Sequence, residues 1–327
     1  MLRAILVLLA LCVLVACDAS PAAPEAAPAP TGGGRPLKVV ATTGMIADPA
    51  RVIAGDRAVV TTLIAPGIDP HLYKPTRSDV QRLLNADVIL TNGLLLEGRM
   101  GDALARASAA GRSVRAVAEL VDPALRLAAA EEGKAHDPHL WMDPAAWAHV
   151  VEVIRDVLIE ADPDGAETYR RNCAAYVADL DALDAYAKAQ LGAIPPDRRV
   201  LVTAHDAFRY FGRRYDLTVL GVQGISTESE AGLQDIERLV SLLVERRVPA
   251  VFAESTVSDR SVQALVAGAR ARGHAVALGP SLYSDAMGDV DTYEGTYIGM
   301  IDHNVTTIAR ALGGSPPERG MRGKLAP

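Results

Sequence analysis

The sequence predicts an α/β protein of two lobes, each with a parallel β-sheet flanked by helices, joined by one long rigid helix. Short apolar runs rich in β-branched residues alternate with helical stretches between residues 37 and 92, and the same alternation restarts near residue 199. Apolar strands separated by helices are typical of a parallel sheet covered on both faces. The long helical segment between the two halves completes the prediction.

The N-terminal lobe is predicted to span residues 37–163. Its strands are expected at LKVVATT (37–43), AVVTTLIA (58–65) and DVILTN (87–92), with helices at DPARVIAG and TRSDVQRLLNA between them. A further helix is expected to begin at Asp143-Pro144, because aspartate is a favoured N-cap and proline a favoured first helical residue.

The linking helix is predicted over residues 164–194. Pro163 precedes the segment, Pro195-Pro196 ends it, and a helix of about 27 residues would be about 40 Å long. Its apolar residues fall mostly on one helical stripe: Tyr169, Cys173, Tyr176, Leu180, Leu183 and Leu191. Cys173 is therefore interpreted as a core residue.

The C-terminal lobe is predicted over residues 195–314, followed by a polar tail at 315–327. Strands are expected at RVLVTA (199–204), LTVLGV (217–222), AVFAES (250–255) and HAVALG (274–279). The stretches LQDIERLVSLLVERR and SVQALVAGARARG have the composition of the helices between them.

The first 36 residues predict export and a lipid anchor. Residues 4–16 are apolar after Arg3, and 13 apolar residues are too few for a bilayer span of roughly 20. Leu14-Val15-Ala16-Cys17 resembles a bacterial lipobox, which implies a signal peptide at 1–17 and lipidation of Cys17; an ordinary cleaved signal with a chance cysteine is the alternative. Residues 18–36 have the Pro/Ala/Gly composition of a tether. The body is expected outside the cell membrane, on the periplasmic face in a Gram-negative cell.

Net charge and cysteine content exclude or disfavour several kinds of protein. The net charge is −7, and loss of Arg3 with the signal leaves 32 basic and 40 acidic residues, hence −8. The absence of a basic run disfavours nucleic-acid binding. Cys173 is the one cysteine after Cys17, so an internal disulfide is excluded. As a separate expectation, the protein is a monomer.

The tetrapeptide Asp-Pro-His-Leu occurs twice, at 69–72 and 137–140, in a chain with seven histidines. His71 and His139 lie in these turns, His205 directly follows a predicted strand, and Asp285 follows another. Loops beyond the carboxyl ends of parallel strands form ligand sites, and imidazole with carboxylate suits zinc and other divalent ions. The four residues are therefore candidate metal ligands, although a lone loop histidine is more often a surface residue.

Other polar residues near these positions are weighed against structural roles. Ligand imidazoles usually donate their second N–H to a carboxylate or carbonyl group, which makes Asp137, Asp206 and Glu254 candidates for supporting the ligands. Asp69 and Asp143 also flank the ligands and are candidates for the same role. Turn and cap chemistry is the alternative for these aspartates, above all for Asp143, and local hydrogen bonding is the alternative for Glu254. Trp141 is expected to pack near the site, whereas His149, His274 and His303 are interpreted as structural.

Several longer stretches resemble the metal-binding solute-binding proteins of ABC importers, the ZnuA/TroA-like family. They are GIDPHLYKPTRSDVQRLLNADVILTNGLLLE (67–97), HDPHLWMDP (136–144), TAHDAFRYFGRRYDL (203–217), VQGISTESEAG (222–232), and LGPSLYSDAMG with GTYIGMIDHNVTTI (278–308). The resemblance covers nearly all of 37–313. It implies two α/β lobes on one long helix, small lobe movements, and one divalent ion held by His71, His139, His205 and Asp285.

The resemblance also implies a role and partners. The protein would capture zinc or manganese outside the cell and deliver it to a membrane permease driven by its ATPase. Zinc is favoured because the third ligand is His205, where manganese-selective relatives often carry glutamate. Two departures stand out: the loop before the second ligand is short and holds one extra histidine, His136, and Lys74 stands where many relatives have an acidic residue. A lipid-anchored zinc hydrolase and a surface adhesin are the alternatives to transport.

Overall fold

The computed structural model describes residues 35–129 and 136–326. These residues belong to one compact unit that runs from Gly34 to Pro327. The predictions for the signal peptide, for Cys17 and for nearly all of the tether lie outside the described residues. Within the described ranges, every helix is too short or too polar to cross a membrane.

The N-terminal lobe, defined here by β1–β4 and α1–α4, contains a parallel four-stranded sheet in the order β2-β1-β3-β4. The strands are β1 (Leu37–Ala41), β2 (Ala58–Thr62), β3 (Val88–Thr91) and β4 (Ser113–Ala116). The helices are α1 (Gly44–Ala54), α2 (Arg77–Asn85), α3 (Gly101–Ala109) and α4 (Pro144–Ala161). Asp143 caps α4 and Pro144 is its first residue, as predicted.

The C-terminal lobe, defined by β5–β8 and α6–α9, repeats this plan with the strand order β6-β5-β7-β8. The strands are β5 (Val200–His205), β6 (Thr218–Gln223), β7 (Ala250–Glu254) and β8 (Ala277–Leu282). The helices are α6 (Arg209–Tyr215), α7 (Leu233–Glu245), α8 (Arg260–Ala271) and α9 (Tyr297–Ala311).

The linking helix α5 runs from Ala166 to Gly192, and a short 3₁₀ turn at Pro163–Gly165 leads into it. The predicted apolar stripe is buried, with Cys173 1% exposed. Polar side chains connect the linking helix to its neighbours at two places. Tyr169 donates to Asp162 at 2.5 Å beside α4, and Asp184 accepts from Arg214 of α6 at 2.6 and 2.9 Å.

The largest apolar core is shared by both lobes. It contains residues of β1 and β3, of α1 and α4, of the linking helix, and of β7 and α9. Two smaller cores lie within single lobes. Because the lobes share a core along α5, the body is one packed structure rather than two domains on a flexible joint.

The chain after α9 is packed against the body. Met321 donates its backbone N–H to both carboxylate oxygens of Asp302, a buried residue of α9, at 2.9 and 3.0 Å. Arg322 contacts Asp179 of the linking helix at 2.5 Å, and Leu325 is buried. The segment predicted as a polar tail therefore connects α9 to the linking helix.

Candidate metal centre

The four candidate ligands meet between the lobes, each brought by a different loop or strand end. His71 lies in the loop between β2 and α2, and His139 lies in the loop before α4. His205 is the last residue of β5, and Asp285 follows β8 by three residues. All four are buried, and one ligand atom from each lies within 4.8 Å of the others.

The spacing of these atoms suits a small ion. The Nε2 atoms of His71 and His139 are 3.4 Å apart. Oxygens of Asp285 lie 3.5 Å from His71 Nε2, 3.3 Å from His139 Nε2 and 3.1 Å from His205 Nε2. A tetrahedral ion with bonds of 2.0–2.1 Å would have ligand–ligand distances of about 3.3–3.4 Å.

Three of the atoms at this centre are buried without a well-formed hydrogen bond among the described residues. They are both carboxylate oxygens of Asp285 and Nε2 of His205. Buried polar atoms in this state are rare, because an unsatisfied group costs about 1–3 kcal/mol. A cation between the four side chains would satisfy all three.

The Asp137-Pro138-His139 turn is held by one carboxylate. Asp137 Oδ1 accepts the backbone N–H of His139 at 3.0 Å, which is the local turn that aspartate favours two residues before a donor. The same oxygen lies 2.7 Å from Nδ1 of the His139 ring. With Nδ1–H donated to Asp137, Nε2 presents its lone pair to the centre.

Glu254 holds His205 in the same way from a neighbouring strand. β5 and β7 are adjacent in the sheet, so the strand-end residues His205 and Glu254 lie side by side. One oxygen of Glu254 accepts the backbone N–H of His205 at 2.8 Å, and the other lies 2.5 Å from Nδ1 of its ring. This carboxylate fixes both the backbone and the tautomer of His205.

The Asp69-Pro70-His71 turn has the same backbone hydrogen bond but a different second partner. Asp69 Oδ1 accepts the N–H of His71 at 2.8 Å. Its other oxygen accepts a short hydrogen bond from the hydroxyl of Thr227, which belongs to the C-terminal lobe. Thr227 was not singled out from the sequence, since it lies 158 residues from Asp69.

The electrostatics of the centre favour positive charge. Burial lowers the pKa of His139, but Asp137 and Asp285 outweigh it and raise the pKa to about 9. Burial likewise opposes charge on His205, and Glu254 and Asp285 raise its pKa well above the usual value. Burial alone would raise the pKa of Asp285, but His205 and His139 hold it well below its usual range.

Three other predicted residues lie apart from the ligand rings. Asp206 has no hydrogen bond to the three imidazoles among the described residues, and its carboxylate lies 3.9 Å from Arg209. Burial and the charge of Asp137 raise the pKa of Asp206 to about 6. Lys74 is exposed, and His136 pairs with Ala128 at the edge of the loop, outside the four-residue group.

The remaining histidines make contacts typical of structural residues. His274 Nε2 lies 2.9 Å from the carbonyl oxygen of Val248, and His303 Nε2 lies 2.9 Å from that of Ser281. The imidazole of His149 is 56% exposed, beside Glu152 on the surface of α4. His274 was expected to open a strand, but β8 begins three residues later.

Two contacts hold the His139 loop against its surroundings. Trp141 packs edge-on against the His139 ring, and its indole N–H donates to the carbonyl oxygen of Ser284, next to Asp285, at 2.8 Å. Asn92 donates its side-chain N–H to the carbonyl oxygen of Pro138 at 3.0 Å. The prediction that Trp141 packs near the site is confirmed. The role of Asn92 was missed, although it lies in a stretch that carries the resemblance.

Comparison with known proteins identifies the family. Residues 39–311 match the family described as ZnuA, the periplasmic component A of a zinc-uptake complex. The chain belongs to the ZnuA family. Relatives in this family include the manganese-binding lipoprotein MntA of Bacillus subtilis, 48% identical over 276 residues that cover 84% of this chain and 90% of MntA.

The zinc-binding protein TroA of Treponema pallidum is 45% identical over 279 residues, covering 85% of this chain and 89% of TroA. The solved structure of TroA superposes with a TM-score of 0.82 at 44% identity, covering 85% of this chain and 99% of the TroA chain. The predicted family, its fold and its class, the metal-binding substrate-binding proteins of ABC transporters, are confirmed.

Proposed function

We propose that this ZnuA-family chain captures one divalent transition-metal ion per molecule and delivers it to the permease of an ABC importer. The ligands are Nε2 of His71, His139 and His205 and the carboxylate of Asp285. The observation that carries the proposal is the meeting of four buried side chains at distances that suit a four-coordinate ion. Among the described residues, both carboxylate oxygens of Asp285 and Nε2 of His205 have no well-formed hydrogen bond at this centre. Asp137 and Glu254 support the ligands by fixing the rings of His139 and His205.

Zinc is the metal we place first, with manganese next. Three imidazoles and one carboxylate form a donor set that suits zinc, whereas manganese favours more oxygen ligands. The similarity to MntA, which is named for manganese, supports the second candidate. The two Asp285 oxygens face different imidazoles, so the carboxylate can supply a fifth bond to a larger ion.

The location and partners follow from the same assignment. We place a lipid anchor on Cys17, the tether at 18–36, the lobes at 37–163 and 195–314, and the linking helix at 164–194. The body then acts as a monomer beside a membrane permease and its ATPase, outside the cytoplasm. The lipoprotein name of MntA supports the anchor.

Binding is favoured over catalysis and over adhesion. A catalytic zinc ion typically has three protein ligands and one open position for water, whereas here Asp285 faces the three imidazoles as a fourth ligand. MntA and TroA are both named as metal-binding proteins, which supports transport. In the hydrolase alternative, Asp285→Ala would retain the ion; in our proposal it releases it.

The test is the metal content of the chain from Gly34 onward, purified without added metal and offered zinc and manganese together at buffered free concentrations. We expect one zinc ion per chain, lost in His205→Ala and retained in His149→Ala, the control at a surface histidine. Manganese retained against buffered zinc would reassign the cargo, and metal retained in His205→Ala would contradict the ligand set.

A further inference from the structure

His71 is the most exposed of the four proposed ligands. Its exposed fraction is 6%, against 0% for His139 and His205 and 1% for Asp285. A cavity of about 210 Å³ lies directly against His71 and is lined from both lobes, by Leu94, Leu95 and Pro138 on one side and by Ile225, Ser226 and Glu228 on the other. A larger cleft of about 670 Å³ borders Asp285, but the side chain of Asp285 is 0% exposed.

The loop that carries His71 differs from the other ligand positions in its surroundings. It follows β2, an edge strand with one neighbour, and it borders the cavity. His205 ends a central strand, and the His139 loop is held by the hydrogen bond from Asn92 to Pro138. The Asp285 loop also follows an edge strand, but the hydrogen bond from Trp141 to Ser284 holds it. We therefore expect the His71 loop to be the part of the centre that moves when the ion is released.

A loop of the C-terminal lobe, residues 224–231, contacts the His71 loop. The Thr227 hydroxyl donates a hydrogen bond to Oδ2 of Asp69, and Oδ1 of Asp69 accepts the backbone N–H of His71. One carboxylate thus joins a ligand of the N-terminal lobe to a hydroxyl of the C-terminal lobe. A second contact reinforces the first: Arg99 lies 3.1 Å from Glu228, the next residue after Thr227.

We propose that Thr227 is a positioning residue that holds His71 on the metal through Asp69 and thereby slows metal release. This inference rests on the proposed function, because it assigns His71 to the metal. Opening the loop to release the ion requires breaking the Thr227–Asp69 hydrogen bond. Thr227 therefore acts on the dissociation rate of the metal more than on the number of metal ions bound.

The experiment measures zinc release into an excess of a chromophoric chelator, by stopped flow, from the zinc-loaded chain that begins at Gly34. Thr227→Val deletes the hydroxyl at nearly constant volume, and Thr227→Ser keeps it. Thr218→Val is the control, the same exchange at an exposed position of β6 in the same lobe. We expect Thr227→Val to release zinc about tenfold faster, the loss expected for a hydrogen bond to a charged group. Thr227→Ser and Thr218→Val should release it at nearly the wild-type rate.

Equal release rates for Thr227→Val and the wild type, with one zinc ion bound to each, would overturn the inference and leave the proposed function intact. Fast release from Thr227→Ser as well would also overturn it, because a hydroxyl would then not be the group that matters. A wild-type chain that binds no metal would remove both the inference and the proposed function.

The Arg99–Glu228 pair gives a second test that does not depend on Thr227. Exposed ion pairs contribute about 0–1 kcal/mol, and each single charge reversal also brings two like charges together, so we expect Arg99→Glu or Glu228→Arg alone to speed release about two- to fivefold. The double exchange should restore the wild-type rate, because it restores the pair. Arg238→Gln, which breaks a surface pair with Asp235 on α7, is the control. Single exchanges without effect, or a double exchange that fails to restore the rate, would contradict a role for this loop in release.

Discussion

At the scale of single residues, the repeated Asp-Pro-His turn explains how a short sequence fixes a ligand. In both turns the aspartate accepts the backbone N–H of the histidine two residues later. The two carboxylates differ in their second hydrogen-bond partner. Asp137 also contacts the ring of His139 and orients it, whereas Asp69 accepts a hydrogen bond from the hydroxyl of Thr227. The same tetrapeptide therefore orients one ligand internally and connects the other to the opposite lobe.

We expect Asp137→Asn to weaken zinc binding about 10–100-fold without changing the stoichiometry. The amide can still accept the backbone N–H of His139, but it holds the ring tautomer less firmly and removes one negative charge next to the centre. Competition titration with a zinc chelator of known affinity measures the change. Asp156→Asn, at an exposed aspartate of α4, is the control. Unchanged affinity in Asp137→Asn would show that the carboxylate of Asp137 stabilises only the backbone turn and does not contribute to metal binding through the ring of His139.

The sequence alone identified the four side chains that meet at the centre, because histidines are few and each candidate follows a strand end or lies in the repeated turn. It could not identify Thr227 or Asn92. Serine, threonine and asparagine are common in loops, and their partners here are set by the folding together of distant segments. Their positions within the stretches that resemble the family were the one available signal.

At the scale of secondary-structure elements, the sequence predicted the linking helix and the alternation of strands and helices but misjudged the last strand. HAVALG was expected to be a strand, yet β8 begins at Ala277 and includes Pro280. Gly273, with φ of +82°, and the hydrogen bond from His274 N to Ala269 O extend the end of α8. Proline is tolerated in β8 because it is an edge strand. β4 was missed because its sequence, SVRA, is short and partly polar.

The linking helix depends on a buried carboxylate. Asp184 accepts hydrogen bonds from Arg214 and lies 2.8 Å from Lys188. Burial alone would raise the pKa of Asp184, but Arg214 and Lys188 outweigh it and lower the pKa below the usual value. A lowered folded-state pKa stabilises the fold above the unfolded-state pKa of about 3.9, and this stabilisation is lost as the pH falls through the folded-state value.

We therefore expect Asp184→Asn to lower the free energy of unfolding by about 1–3 kcal/mol at pH 7. The difference from the wild type should shrink below about pH 4, because the wild-type carboxyl then becomes protonated and loses its advantage. Urea unfolding followed by circular dichroism at both pH values measures it. Asp181→Asn, at an exposed position of the same helix, is the control. A difference that stays constant across this range would contradict the assigned role of the charge.

At the scale of the whole molecule, the shared core limits how far the lobes can move. Side chains of α1 and α4 pack in the same cluster as those of α9, of β7 and of the linking helix. The packing therefore supports the small lobe movements that the family resemblance implied. Opening the centre by a rigid rotation of one lobe would expose this core, whereas moving the His71 loop would not. Metal exchange by loop movement is thus the less costly route.

The metal-free chain and the metal-bound chain should therefore have nearly the same overall dimensions. The radius of gyration, measured by small-angle X-ray scattering on the chain from Gly34, should be close to the roughly 19 Å of a compact chain of this size, both without metal and with zinc. The melting temperature should nevertheless rise on zinc addition, because zinc at 100 times its dissociation constant adds about 2.7 kcal/mol to the free energy of unfolding. Asp285→Ala should lose the rise in melting temperature while keeping the same radius. A measurable contraction of the wild type on zinc binding would instead show that the lobes close as rigid bodies, and the shared core would then have to open in the metal-free state.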